Sequence, residues 1–376
     1  MGGPVHGMAA YTDMLVQRGY PVTVFSSSKD ADGSAVRLNP RAQVIQCANP
    51  RWGSLRYCPA LWQRALAAKL DLVHSHGLWT DVHRLAGHIA RARELPHLLA
   101  PCGMLAPGAL QRHWWKKILV KLWFQQQVLH EAKCLHAKSS KEYEDLRRLG
   151  LRNPIAIIAN PIARPTHSIE MSSERFRQTH SIAESKHVLL FLGRLHPVKG
   201  LPRLLQAWSA LHNFHSTWTL VLAGPGEETH RKEYESFAAN LCCHDSVVFT
   251  GELDATRKWA ALSAADLFVM PSDFENFGNS IVEAMLSGIP VITTTGTPWE
   301  MLPAEGAGWC VEPDVEAVTA ALFDALGLSD DERKNMGRRA AVFSQRFSVQ
   351  QAGADLIKVY EWLLGCGARP DCVRAD

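Results

Sequence analysis

The sequence predicts an α/β protein of two domains, each built on a parallel β-sheet. Three observations lead to this fold class. Apolar runs of strand length alternate with helical patterns along most of the chain. The alternation occurs twice, before and after a polar stretch over residues 163–187 that contains Pro165 and several serines and threonines. The length, 376 residues, is enough for two domains of ordinary size.

The composition narrows the class of protein. Apolar residues make up 47% and charged residues 20% of the chain, as in globular proteins. The formal net charge of +3 implies no whole-molecule attraction to nucleic acid, so we expect no nucleic-acid partner. No apolar run has the length of a membrane-spanning helix, and no signal-peptide pattern stands at the start, so we expect a cytoplasmic protein. The 9 cysteines include no Cys-x-x-Cys pair, which predicts reduced thiols rather than a disulfide framework or a zinc site.

The first predicted domain covers residues 1–162. It opens on a glycine turn, Gly2 and Gly3, that runs at once into a helical pattern ending at Gly19. Such turns normally join a central strand to its helix, and here no strand precedes the turn. Either the true start lies upstream or this form is impaired. Further helices are predicted over 86–92, 114–133 and 141–149, and strands over 21–25, 70–74, 95–100, 134–137 and 154–159.

The second predicted domain covers residues 188–345, after a linker at 163–187. A C-terminal helix and tail over 346–376 would return toward the first domain. The predicted strands span 188–192, 218–223, 247–250, 266–270 and 291–295. The predicted helices span 202–212, 232–241, 256–264, 329–346 and 349–364.

The most informative motif is Glu275-Asn-Phe-Gly-Asn-Ser-Ile-Val-Glu283, which lies between two predicted strands. In strand–loop–helix units, ligands bind at the carboxyl end of the strand and against the helix N-terminus. Ser280 and Glu283 have the spacing of a capping box, which alone would account for Glu283. Glu275 precedes the helix and belongs to no capping pattern. We therefore rank Glu275 above Glu283 as a functional residue.

A second motif, Gly193-Arg-Leu-His-Pro-Val-Lys-Gly200, follows a predicted strand. Its glycine lets the backbone approach a ligand, and Arg194 and Lys199 place two cations in one loop. Two cations and backbone donors can hold a diphosphate without a metal. The motif does not match a phosphate-binding P-loop, because no Lys-Ser or Lys-Thr follows the second glycine. A turn with solvated charges is the alternative interpretation.

The Glu-x7-Glu spacing and the Arg194/Lys199 loop together resemble the signature of retaining GT-B glycosyltransferases of family four, the glycosyl transferases group 1. The resemblance covers nearly the whole chain and implies two Rossmann-like domains facing across a cleft. It implies a nucleotide-sugar donor and a saccharide or lipid-linked saccharide acceptor in cell-surface polysaccharide or lipopolysaccharide synthesis, with no cofactor and no metal. In the family the residue matching Glu275 touches the donor sugar, and the one matching Glu283 contacts the ribose. The resemblance implies these donor-binding residues: Gly2, Gly3, Arg194, Lys199, Asn276, Phe277, Gly278, Asn279 and Glu283.

On the acceptor side, the resemblance points to His76 and Cys102 as catalytic residues beside Glu275. His76 ends the segment Leu72-Val-His74-Ser-His76 at the side of the sheet where ligands are expected. Many relatives carry a histidine after the strand that matches residues 95–100, near the reacting sugar. The matching position here is Cys102, and a neutral thiol is a poor substitute for a hydrogen-bonding imidazole.

Two motifs suggest metal sites, and for both another interpretation is better. His74 and His76 share a strand face, but no third ligand is evident nearby. Asp30 and Asp32 resemble the Asp-x-Asp motif of the other glycosyltransferase fold. Because their surroundings are rich in serine and glycine, we interpret them as part of a solvated loop.

The segment Gln111–Phe124 places basic and tryptophan side chains on one predicted helix. Such a helix can lie on an anionic membrane surface, which would make the protein peripheral at the inner face of the membrane. An ordinary amphipathic helix packed on the first domain is the alternative.

Two other functions stay open on the sequence alone. The missing first strand and Cys102 are compatible with a relative that binds a sugar nucleotide or glycan without transfer. A GT-B phosphorylase or epimerase is a third possibility. A phosphorylase that uses a pyridoxal cofactor needs a Schiff-base lysine, and no segment indicates one.

Overall fold

The computed structural model describes residues 3–27, 38–47, 51, 53–111, 120–162, 164 and 172–375. The chain divides into two compact units. The first is formed by Met1–Ile162 together with Phe347–Asp376, and the second by Ala163–Arg346.

The N-terminal part of the first unit alternates helices and short strands. Its helices are α1 (Gly3–Gln17), α2 (Pro59–Ala67), α3 (Asp81–Ala92), α4 (Pro107–Gln111), α5 (Gln126–Glu131) and α6 (Ser140–Arg148), with a 3-10 turn at Gly53–Leu55 and a π-helical turn at Lys121–Gln125. Its strands are β1 (Thr23–Ser26), β2 (Gln43–Gln46), β3 (Val73–His76), β4 (His97–Ala100), β5 (Cys134–Ala137) and β6 (Ile155–Ile157).

The second unit repeats the alternation more regularly. Its helices are α7 (Ser173–Thr179), α8 (Leu201–Ala210), α9 (Glu228–Asn240), α10 (Ala255–Ala264), α11 (Asn279–Leu286), α12 (Val315–Leu326) and α13 (Asp330–Ser344). Its strands are β7 (His187–Leu192), β8 (Trp218–Ala223), β9 (Val247–Gly251), β10 (Leu267–Met270), β11 (Val291–Thr294) and β12 (Gly308–Val311). Short 3-10 turns occur at Pro197–Lys199, His212–Phe214, His244–Ser246 and Gln345–Phe347.

The chain then returns to the first unit through α14 (Val349–Leu363) and a final strand, β13 (Val373–Arg374). Leu356 and Val359 of α14 share a buried apolar cluster with Tyr11 of α1 and Leu98 of β4. β13 pairs antiparallel with β6. The sequence pattern did not predict this strand, because two residues are too few to show a periodicity.

The described residues of the first unit form two separate sheets. Five strands follow the order β13-β6-β5-β4-β3, and β1 and β2 form a two-stranded parallel sheet of their own. Within the described residues no strand precedes α1, so no strand joins β1 to β3. β3 is therefore an edge strand, and His74 and His76 lie on it.

The second unit has one six-stranded parallel sheet of order β12-β11-β10-β7-β8-β9. The chain runs from β7 outward to β9, then crosses back to place β10 on the other side of β7. The carboxyl ends of β7 and β10 thus form a topological switch point, where open α/β sheets bind ligands. Both charged motifs of the sequence follow these two strands.

Two expectations for the chain need correction. The stretch 163–187, predicted as a linker, contains α7, and Phe176 in this helix is buried. The prediction that the cysteines are reduced thiols is wrong for Cys47 and Cys58, which form a disulfide with their Cα atoms 6.4 Å apart. Cys47 follows β2 and Cys58 directly precedes α2, so the fold brings together two cysteines whose spacing in the sequence carries no recognisable signature.

Candidate functional site

Two glycines bring the loops after β7 and β8 of the second unit into close contact. The Gly193 N–H donates to Ala223 O at 2.9 Å. A Cβ atom on Gly224 would lie 2.0 Å from Gly193 O, and Gly224 has a φ of +142°. Both the space and the backbone conformation therefore require glycine at position 224.

The Arg194/Lys199 loop also lies against the loop after β10. A 3-10 turn, Pro197–Lys199, carries the lysine, and the His196 side chain caps it by accepting from the Val198 N–H at 3.2 Å. Gly200 ends the turn with a φ of +70°, and a Cβ atom there would lie 2.0 Å from Pro271 O. Lys199 is thereby directed toward the β10 loop, while Arg194 is exposed.

Glu275 contacts both the Arg194/Lys199 loop and its own loop after β10. Its Oε1 forms an ion pair with Lys199 Nζ and accepts from Ser272 Oγ at 3.2 Å. Its backbone N–H donates to Gly296 O at 3.1 Å. The Lys199 and Glu275 side chains are each 14% exposed, so the pair is largely shielded from water but still reachable. The structure thus joins the two sequence motifs through Lys199 and Glu275.

Glu283 does not form the predicted capping box. Helix α11 begins at Asn279, and Gly278 precedes it with a φ of +82° and no side-chain cap. Because Gly278 occupies the cap position, Ser280 lies inside the helix and Glu283 lies beyond its first turn. Lys258 Nζ instead donates to Glu283 Oε1 at 2.6 Å. Glu283 is thus held by a salt bridge near the switch point.

The backbone of the predicted donor-binding stretch, Asn276–Asn279, is anchored from the core. The Phe277 side chain is buried 5.5 Å from the Trp299 ring, and Trp299 Nε1 donates to Phe277 O at 2.5 Å. Residues 297–306 form bends and turns, and Thr297 Oγ1 donates to Thr294 O at 2.8 Å. Trp299 therefore fixes the loop that leads into α11.

Other predicted donor-binding residues lie in the first unit. Gly3 is the first residue of α1, and Gly2 lies outside the described residues. Their assignment to the donor site stays a prediction.

In the first unit, where the acceptor side was predicted, β3 and β5 bring three histidine rings together. The His74 and His76 ring centroids are 4.2 Å apart. His74 Nδ1 lies 2.7 Å from the Tyr360 hydroxyl, and His74 Nε2 lies 3.2 Å from His136 Nδ1. Burial lowers the pKa of all three histidines well below the usual range, so these rings are neutral. Within the described part of the chain no group of three or more ligating side chains could hold a metal ion, and His74 and His76 belong to this ring network.

Cys102 lies at the same edge of the sheet, just after β4. It has a φ of +55°, and its Sγ donates to Ala100 O at 3.4 Å. Burial raises the pKa of the thiol to about 11, so Cys102 is a neutral thiol near pH 7. It offers a weak donor where the resemblance leads one to expect an imidazole.

Sequence reasoning missed three residues of this cluster: His136, Lys138 and Tyr360. His136 could have been found from the strand pattern. It lies two residues after Cys134 on β5, so the side chains of Cys134 and His136 face the same side of the sheet. Lys138 directly follows a fully buried strand, which is an unusual place for a lysine. Nothing in the sequence links Tyr360 to His74, 286 positions earlier.

Two predictions fall mainly outside the described residues. Asp30 and Asp32 lie there, as do residues 112–119 of the segment Gln111–Phe124, which was predicted to be helical. At its described end, Trp123 is 55% exposed, with the Arg84 guanidinium 5.2 Å from its ring. None of the described helices is long and apolar enough to cross a membrane. Contact with a membrane surface stays a prediction.

Comparison with known families divides the chain much as the fold does. Residues 172–343 match the model described as glycosyl transferases group 1, and residues 2–161 match the glycosyl transferase 4-like domain. A curated relative, the D-inositol 3-phosphate glycosyltransferase of Corynebacterium urealyticum, is 27% identical over 398 residues, covering 96% of this chain and 92% of the relative.

Solved structures show the same architecture. The chain resembles Anabaena HepE in complex with UDP and glucose, with a TM-score of 0.74, 18% identity and 96% of each chain covered. It also resembles WaaG, a glycosyltransferase involved in lipopolysaccharide biosynthesis, with a TM-score of 0.71, 18% identity and 96% of each chain covered. The predicted GT-B fold class is confirmed.

Proposed function

Because the chain belongs to the glycosyl transferases group 1, nucleotide-sugar-dependent enzymes of the GT-B fold, we propose that it is a retaining transferase. It moves a hexose or related sugar from a nucleotide sugar to a hydroxyl group of a saccharide or lipid-linked saccharide. The observation that carries the proposal is the Lys199–Glu275 pair at the switch point of the second unit, with Arg194 in the same loop.

The donor diphosphate is held by Arg194 and Lys199, with the N-terminus of α11 adding a partial positive charge. Glu275 fixes the direction of the Lys199 side chain before the donor binds and accepts a hydrogen bond from a sugar hydroxyl. The negative charge grows on the leaving diphosphate as its bond to the sugar breaks. Fixed cations at that position stabilise the transition state more than the ground state. These cations can neutralise the diphosphate without a metal.

Retention follows from attack on the face that the diphosphate leaves. The bond between the anomeric carbon and the phosphate oxygen breaks, and the acceptor oxygen bonds to the same face of that carbon. The acceptor proton passes to the leaving phosphate, so no protein nucleophile is required. This route suits a site in which Glu275 is already paired with a lysine.

The names of similar proteins guide the choice of substrates. HepE was solved with UDP and glucose, which makes UDP-glucose the first donor to try. The D-inositol 3-phosphate glycosyltransferases and WaaG suggest acceptors that are polyhydroxylated, phosphorylated or lipid-linked. Polysaccharide or lipopolysaccharide synthesis at the inner face of the membrane is the setting we propose, with contact through Gln111–Phe124.

The test is transfer of labelled sugar by single variants. Lys199→Ala removes a cation from the diphosphate, and Glu275→Gln weakens the positioning of both lysine and sugar. We expect each to lower turnover at least about tenfold. Matched controls are Lys232→Ala and Glu228→Gln on α9, whose 3.5 Å ion pair is exposed.

Near-normal turnover in either Lys199→Ala or Glu275→Gln contradicts the site assignment. An unmodified protein that binds a nucleotide sugar and forms no product with any acceptor supports the non-catalytic alternative instead.

A further inference from the structure

Lys138 is a buried cation in the first unit, at the carboxyl end of β5. Its side chain is 3% exposed. Nζ lies 3.1 Å from His136 Nε2 and 5.0 Å from the centre of the Tyr11 ring. Among the described residues no carboxylate forms an ion pair with it. The nearest acid, Glu142, uses its two carboxylate oxygens to accept from the N–H groups of Gly103 and Lys138.

The groups around Lys138 offer almost no negative charge. They are Tyr11 of α1, His74 and His76 of β3, Cys102 after β4, His136 of β5 and Glu142 of α6, with Tyr360 of α14 beyond them in contact with His74. Burial lowers the pKa of the histidines and raises the pKa of Tyr11, Cys102 and Tyr360. Near pH 7 all of these except Glu142 are therefore neutral.

The hydrogen bonds of the cluster leave N–H donors of the Lys138 ammonium group unused. An ammonium group carries three N–H donors and no acceptor. His136 Nε2 lies 2.9 Å from Ile158 O, and because a carbonyl oxygen only accepts, Nε2 carries the ring proton and donates to it. His136 Nδ1 then accepts from His74 Nε2–H, and His74 Nδ1 accepts from the Tyr360 hydroxyl. Within the described residues the ammonium group lies within hydrogen-bond distance of the His136 ring alone, 3.1 Å from Nε2 and 3.5 Å from Nδ1, and both ring nitrogens already have other partners. The remaining donors are available to oxygen atoms of a ligand.

The location is also that of a ligand site. Lys138, His76 and Cys102 all stand at the carboxyl ends of parallel strands, the edge where α/β sheets bind ligands. His76 and Cys102 are partly exposed, whereas Lys138 is buried. A buried charge without an acidic partner destabilises the fold, so its presence at this edge calls for an anion from outside the protein.

We propose that Lys138 and His76 bind an anionic group, a phosphate or carboxylate, carried by the acceptor. That the acceptor carries this anion rests on the proposed function, whereas binding of the anion does not require sugar transfer. The inference assigns to this chain an acceptor that is charged as well as polyhydroxylated, and it places recognition of that charge on β3 and β5.

The test measures melting of the full chain with inorganic phosphate or acetate as probes, at constant ionic strength set with chloride. Saturating UDP is included to occupy the Arg194/Lys199 loop of the second unit. We expect a saturable rise in melting temperature of a few degrees with one or both probes, and whichever probe acts names the class of anion. Lys138→Met should abolish the rise, and Lys133→Met, which changes an exposed lysine beside the same strand, should keep it.

The inference is overturned if the unmodified protein shows no anion-dependent rise, or if Lys138→Met keeps it. Should Lys138→Met not fold, Lys138→Gln retains hydrogen-bonding capacity without the charge and must also lose the response. A protein that responds to UDP but not to either anion contradicts the inference alone. One that responds to an anion through Lys138 but to no nucleotide contradicts the proposed function alone.

Discussion

In the second unit, two of the cationic side chains near the carboxyl ends of β7 and β10 are already paired, while Arg194 is exposed. Lys199 pairs with Glu275, and Arg203 pairs with Asp273 at 2.6 Å. In the first unit, the equivalent edge holds neutral histidine rings and one buried lysine that forms no ion pair with a carboxylate of the described residues. In the second unit, therefore, a carboxylate positions the Lys199 ammonium group before a ligand binds. In the first unit, the charge of Lys138 remains for a ligand to neutralise.

The difference shows two ways of holding a polar site at the edge of a parallel sheet. In the second unit the loops are fixed by glycine contacts such as Gly224 against Gly193, so the side chains can stay partly exposed. In the first unit the side chains are fixed by burial among rings, at a cost in stability that the surrounding apolar core must offset. Substitutions at the two edges should accordingly have opposite effects on stability.

The largest expected effect is that of Gly224→Ala. The new methyl group would collide with Gly193 O, and the backbone conformation is one that alanine avoids. We expect a loss of about 3 kcal/mol or more in the stability of the second unit, together with weaker nucleotide binding. Thermal unfolding with and without UDP measures both.

Gly251→Ala is the matched control for this substitution. Gly251 also has a positive φ, +72°, but a Cβ atom there would have nothing within 4 Å. The loss in stability should be about 1 kcal/mol, because only the left-handed backbone conformation disfavours alanine there. Equal losses in the two variants would show that contact between the loops does not hold the donor site.

The second largest expected effect is that of Lys138→Met in the first unit, which should raise stability where Gly224→Ala lowers it. Burial lowers the pKa of Lys138 from 10.5 to about 8. Between these values the unfolded chain binds the proton and the folded chain does not, so stability rises with pH across this window. Below about pH 8 the charged lysine costs about 3 kcal/mol, which Lys138→Met removes.

Urea unfolding at pH 7 and pH 10 tests this prediction. Lys138→Met should be more stable than the unmodified protein at pH 7, and the difference should shrink by about 3 kcal/mol at pH 10. All other titrating groups are shared, so their contributions cancel. If the two proteins keep the same difference at both pH values, Lys138 is not a buried cation, and the contrast between the units fails.

The fold and the meeting of the two charged motifs in the second unit were predictable because their signals are local. Gly193–Gly200 and Glu275–Glu283 each lie on a single strand–loop–helix segment, and the switch point unites them. The helix start at Asn279 was missed because a left-handed glycine took the cap position that the sequence pattern assigned to Ser280.

The histidine cluster of the first unit was only partly predictable, because its contacts are long-range. His76 and Cys102 were found through a resemblance, while Lys138 and Tyr360 were not found. The Tyr360–His74 contact depends on α14 packing beside α1, and the Cys47–Cys58 disulfide depends on β2 and α2 meeting. Neither arrangement leaves a periodic signal in the sequence.

The most direct test of the central claim is thermal unfolding with UDP, GDP, ADP and their common sugar conjugates, in the unmodified protein and in Lys199→Ala. A ligand at about 100 times its dissociation constant stabilises the folded state by about 2.7 kcal/mol. We expect a clear rise in melting temperature for one base in the unmodified protein, and a much smaller rise in Lys199→Ala. A cooperative melt that no nucleotide shifts, or a shift that Lys199→Ala leaves unchanged, would contradict a donor site at Lys199 and Glu275.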